Sequence, residues 1–176
     1  DQVIDYLQSN DYIARVLRGI FYVKSHEERG RGVLERSLYE IVAMALEMKG
    51  VKRWYFGLET ALKLNQMTHE YFVVDRVVTD SYRTTKTIRI MGTPFRFIKR
   101  GDRHFRSGIV MRGPLRYSDP ERTVVDLAYR EYLRSKEPSL FMSPVDEYGE
   151  VIDMGRLRML LEDFPPGFRR GMEGSL

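Results

Sequence analysis

The spacing of apolar positions changes once within the first twenty-four residues. Val3, Ile4 and Leu7 recur at helical intervals, which predicts a helix over residues 2–9. Asn10-Asp11 is a turn signal. Two β-rich runs follow, Tyr12 to Arg18 and Ile20 to Lys24, and Gly19 between them predicts a tight hairpin. Residues 25–32 are polar and contain glycine, so they read as a linker and a domain boundary. From Val33 to Lys49, the positions Leu34, Leu38, Ile41, Val42, Ala45 and Leu46 form one stripe, with charges elsewhere. That is an amphipathic helix, and Gly50 suits its C-terminal end. A second helix is expected over 57–64. Strands are expected over 71–74, 87–91, 94–99 and 109–111, with Gly92-Thr93 joining the middle pair. Ser118-Asp119-Pro120-Glu121 opens a helix to about Leu133, because proline fits the first helical position and the residue before it caps free N–H groups. Residues 135–149 read as a loop. Asp153 caps a last helix, Met154 to Asp163, which Pro165-Pro166 ends.

Helical and extended runs do not alternate regularly, so the expected class is α+β rather than a doubly wound sheet. The opening helix, turn and hairpin match the last parts of a winged helix. The expected organisation is therefore a partial winged helix over 1–28, then a mixed α+β domain over 29–176 with a small antiparallel sheet and flanking helices. A complete winged helix needs about two further helices before Asp1, and the chain does not begin with Met.

Composition narrows the function classes. Charged residues make up 31% and hydrophobic ones 43% of 176 residues, enough to bury a core. No apolar run approaches the ~20 residues of a membrane helix. Cysteine is absent, which rules out disulfides and thiolate metal sites and fits a cytoplasmic address. The net charge of +4 is unevenly spread. Residues 83–106 hold eight bases (Arg83, Lys86, Arg89, Arg96, Lys99, Arg100, Arg103 and Arg106) against Asp102 alone, whereas Pro120 to Phe164 hold ten acids and six bases. Such a basic segment meets something acidic: DNA, RNA, an acidic partner, or the acidic C-terminal part of the same chain.

Three constellations carry candidate chemistry. In the hairpin, Arg15, Arg18 and Lys24 form a basic ribbon suited to phosphate contact. Gln8, Ser9 and Asn10 at the preceding helix end could hydrogen-bond bases or phosphates. In the second basic cluster, Phe95 and Phe97 interleave with the arginines. They are either a stacking platform or the core face of an alternating strand, and alternation favours the core. The third is Ser118 to Asp126. Asp119, Glu121 and Asp126 invite a metal reading, but local rules account for each residue: Asp119 caps, Glu121 lies in the first turn, and Arg122 and Asp126 are one helical turn apart. His26, His69 and His104 have no metal-ligand spacing. No G-x-S-x-G and no phosphate-binding glycine loop occur, so catalysis, a cofactor or a metal is not expected.

These residues also carry a family resemblance. Tyr12 to Lys24 resembles the wing of AbiEi-type antitoxins. Tyr55-Phe56-Gly57-Leu58-Glu59-Thr60-Ala61-Leu62 is similar to the family's first helix of the C-terminal domain. Thr87 to Lys99 looks like its central hairpin, and Ser118 to Asp126 like its most distinctive stretch. The resemblance runs along nearly the whole chain in the right order. It implies a winged helix that binds an operator in double-stranded DNA and represses its own operon. It also implies a C-terminal domain that counters a nucleotidyltransferase-like toxin in a toxin–antitoxin, phage-defence pair. By that correspondence Arg15, Arg18 and Lys24 are wing contacts, and Asp119, Arg122 and Asp126 are motif residues of chiefly structural role.

The leading expectation is thus a DNA-binding autorepressor and antitoxin without catalytic activity. One alternative is a metal-dependent enzyme on nucleic acid, using Asp119, Glu121 and Asp126. Another is a purely protein-binding module that grips an acidic toxin with Arg89, Arg96, Lys99 and Arg100.

Overall fold

Residues 2–176 are described by a computed structural model. Among them, eight α-helices, a two-stranded antiparallel sheet and a six-stranded mixed sheet make an α+β fold. Helix α1 (Gln2–Ser9) leads into the hairpin β1 (Ile13–Leu17) and β2 (Ile20–Val23). Gly19 sits at the turn with φ +79°, the left-handed region that glycine enters without a Cβ penalty.

Residues 25–32 are not an irregular linker. They form α2 (His26–Arg31), so the expected boundary after residue 28 falls inside a helix. A capping box explains it: the Ser25 hydroxyl accepts from the Glu28 N–H, and the Glu28 carboxylate accepts from the Ser25 N–H. Buried Glu28 also accepts from the Tyr22 hydroxyl at 2.6 Å and from the Glu35 N–H at 2.9 Å, tying the hairpin to the segment that leads into the next helix. Helix α3 (Leu38–Met48) starts later than periodicity implied, because Ser37 and Glu40 form a second capping box. Its end agrees with the expectation for Gly50, which has φ +78° and donates to Glu47 while Val51 donates to Leu46.

The strand expected over 71–74 lies further along. Tyr71 is 87% exposed, and β4 covers Asp75–Thr79. Asp75 anchors that start, accepting from Lys63, Tyr39 and Thr60. The sheet runs β5-β6-β4-β3-β8-β7, with β3 (Trp54–Phe56), β5 (Ile88–Ile90), β6 (Thr93–Lys99), β7 (Ile109–Arg112) and β8 (Leu115–Ser118). Two of its pairings, β3–β8 and β4–β6, are parallel, so it is larger and more mixed than the small antiparallel sheet expected. Three-residue β3, buried on both sides, and four-residue β8 gave no alternation to read.

Neighbouring side chains on β6 point to opposite faces. Phe95 and Phe97 join Trp54, Phe56 and Val77 beneath α3 and hairpin residues Val16 and Leu17. Ile98 instead packs on a second core built by α4 (Glu59–Leu64), α5 (Pro120–Arg134), α6 (Pro138–Tyr148), α7 (Met154–Leu160) and α8 (Pro166–Glu173). The segment expected to be a loop is therefore helical. Pro138 sits where no N–H is needed. The backbone bond lost at Pro144 is offset by burying Phe141, Met142, Val145 and Tyr148 along one face. Likewise Pro165-Pro166 ends one helical stretch and starts the next, whose Phe168 and Met172 are buried. No helix among the described residues is long and apolar enough to cross a membrane.

A candidate nucleic-acid interface

The hairpin buries Val16 and Leu17 beneath α3, which leaves Arg15 and Arg18 exposed. Lys24 is different. Its ammonium rests on Asp11, so Arg15 and Arg18 are the available cations of the hairpin. Gln8, Ser9 and Asn10 are exposed at the end of α1, although the Asn10 amide donates to Tyr6 O at 2.9 Å.

The hairpin adjoins the second basic cluster through two residues that the sequence did not single out. The Lys49 ammonium reaches Arg18 O at 3.4 Å and lies 5.3 Å from the Tyr82 ring centroid. Burial pushes the Tyr82 hydroxyl pKa up, and the positive charge of Arg15 opposes that rise. Arg83 comes next in sequence and lines a cleft of about 360 Å³ with Thr84, Thr85, Arg96 and Lys99. Arg89 is exposed on edge strand β5 and donates to Gly92 O at 2.9 Å, while Lys86 is exposed in the preceding segment. Arg100 is turned elsewhere, 5.5 Å from the ring centroid of Tyr129.

The acids of this chain do not neutralise these cations. Among the described residues, none of Arg15, Arg18, Arg83, Lys86, Arg89, Arg96, Lys99 or Arg100 forms an ion pair. The C-terminal carboxylates are engaged locally: Asp119 and Glu121 with Arg156, Asp126 with Arg122, and Glu131 with Arg130 and Arg134. Phe95 and Phe97 are 0% and 1% exposed, so they offer no stacking surface. What remains is a set of exposed cations without an aromatic platform, suited to phosphate contact.

The acidic motif on α5 has a different geometry. Asp119 caps the helix, accepting from Arg122 N–H at 2.8 Å. Arg122, 0% exposed, donates to Asp126 at 3.0 Å, to Ser107 O at 3.0 Å, to His104 O at 2.6 Å and to the Tyr55 hydroxyl at 3.3 Å. Tyr55 in turn donates to Asp126 at 2.8 Å. Burial works against the Arg122 charge, but Asp126 and Tyr55 outweigh it and hold its pKa above the ordinary range. Burial and the Asp126 charge push Tyr55 up, and burial takes His104 down to about 4. Asp119 and Glu121 thus share Arg156 while Asp126 pairs with Arg122, and no group of three or more potential ligands is disposed to hold a metal among the described residues. His26, His69 and His104 do not converge either. Tyr55 and His104 lie 67 and 18 residues from Arg122, a spacing that no local pattern reveals.

No protein-family model matches the chain, and no curated protein does either.

Proposed function

We propose that this chain is a DNA-binding autorepressor and antitoxin of the AbiEi kind, acting on double-stranded operator DNA and countering a nucleotidyltransferase-like toxin. The observation that carries the DNA reading is the set of exposed cations without an ion-pair partner among the described residues: Arg15 and Arg18 on the hairpin, which Lys49 adjoins, and Arg83, Arg96 and Lys99 around a cleft. Phosphates are partners that such cations fit, because each contact releases condensed counterions. The succession of α1, a turn and a basic hairpin supports reading the start of the chain as part of a winged helix. The antitoxin half rests on the family resemblance of the segments 12–24, 55–62, 87–99 and 118–126.

A reporter driven by the DNA upstream of the protein's own gene tests the repressor half. The wild-type protein represses it, and Arg15→Glu with Arg18→Glu relieves repression while leaving the melting temperature within a few degrees. Equal repression by both proteins refutes the role of the hairpin. For the antitoxin half, co-expression with the neighbouring gene product must restore growth, and failure to do so rejects it.

A further inference from the structure

On the edge of the sheet formed by β3, β8 and β7, a cavity of about 290 Å³ gathers Arg53, Arg106 and Arg116 around Phe105, Met111 and Trp54. Three guanidiniums beside apolar side chains are a composition for an organic anion. The local geometry favours the same ligand. The Arg53 Nε is fixed by the mostly buried Asp80 at 3.1 Å, which orients the guanidinium. One of its terminal nitrogens rests on Asp102, whose side chain is 76% exposed, at 2.7 Å. Arg116 reaches Glu47 only at 3.4 Å, and Arg106 forms no ion pair among the described residues. The Asp102 and Glu47 contacts are solvent-screened and readily exchanged for a phosphate that can accept two parallel N–H donors.

Trp54 closes one side of the cavity: it is 1% exposed, and the Arg116 guanidinium lies 5.2 Å from its ring centroid. The wall is also held rigidly. Ser107 O accepts from Arg122, and Gly108 has φ +73° with Arg122 against it, which fixes the 105–108 segment to α5.

We propose that this cavity binds a nucleoside monophosphate, with Arg106, Arg116 and Arg53 on the phosphate and the ring against Phe105 and Met111. Its volume lies near the ~300 Å³ lower end of small-ligand sites, which fits one nucleotide rather than an oligomer.

The chain has a single tryptophan, so its emission reports on this cavity alone. The full chain is titrated with AMP, with inorganic phosphate as a second arm, and the melting temperature is measured in parallel. The expected result is a saturable change in emission with AMP, a matching rise in melting temperature, and at least tenfold weaker binding of phosphate. Arg106→Gln, at an exposed position, weakens AMP at least tenfold without changing the unliganded melting temperature. No emission change and no thermal shift at millimolar AMP overturns the proposal. Equal affinity for AMP and phosphate also overturns it, leaving a bare anion site, as does unaltered AMP binding by Arg106→Gln.

Discussion

Replacing Arg122 by methionine is the most informative perturbation of the fold. The substitution keeps a long unbranched side chain but removes donors to Asp126, Tyr55, Ser107 O and His104 O. Asp126, 7% exposed, would keep only the Tyr55 hydroxyl. Breaking a buried ion pair from one side costs about 3–5 kcal/mol, because the remaining charge stays desolvated. Each carbonyl orphaned in the interior costs about 1–3 kcal/mol more, and these terms overlap rather than add. A loss of about 4–6 kcal/mol is expected, a large share of the ~5–15 kcal/mol that stabilises a typical protein. In a chain of this size that lowers the melting temperature by about 10–20 °C. Urea unfolding monitored by circular dichroism measures it, with the slope checked for constancy. The double variant Arg122→Met with Asp126→Leu removes the stranded charge and should recover at least about 2 kcal/mol over the single change. A single-variant cost below about 1 kcal/mol, or a double variant no more stable than the single, refutes Arg122 as the buried organiser of the motif.

The same cluster yields two further expected outcomes. At Gly108, φ is +73° and an added Cβ would lie 2.6 Å from Arg122 Cβ, so Gly108→Ala should cost at least about 2 kcal/mol by thermal unfolding; an unchanged melting temperature would contradict that contact. His104 is 7% exposed, and burial lowers its pKa from 6.5 to about 4. The unfolded chain binds the proton more readily between those values, so stability is full above about pH 6.5 and falls as pH drops toward 4, by about 2.5 kcal/mol at pH 4.5. His104→Gln should lack this component, so the gap between wild type and variant narrows by that amount from pH 7 to 4.5; a pH-independent gap would rule it out.

Elements governed by local rules were legible in the sequence. The start of α5 comes from Asp119 and Pro120, the end of α3 from Gly50, and the β5–β6 hairpin from alternation around Gly92. Where tertiary contacts decide, the chain misled. Ser25 and Glu28 spell a capping box, but α2 is only six residues long and is held by Tyr22 and Glu35 as much as by its own hydrogen bonds. Residues 135–149 read as a loop and Pro165-Pro166 as an ending, although α6 and α8 bury enough apolar surface to accommodate Pro138, Pro144 and Pro166. At the candidate interface the basic residues were visible one by one. That Lys49 and Tyr82 join the two clusters, and that Asp11 takes Lys24, depends on chain segments brought together only by folding.

The central claim is that the cationic hairpin contacts phosphate, and the salt dependence of duplex binding tests it most directly. Anisotropy titrations of labelled duplex from the protein's own upstream region, repeated across a salt series, give the slope of log affinity against log salt. Each phosphate contact contributes about −0.9, so Arg15→Gln with Arg18→Gln should flatten the slope by about 2 and weaken binding at every salt concentration. A slope and an affinity unchanged in the double variant would show that the hairpin does not touch the duplex.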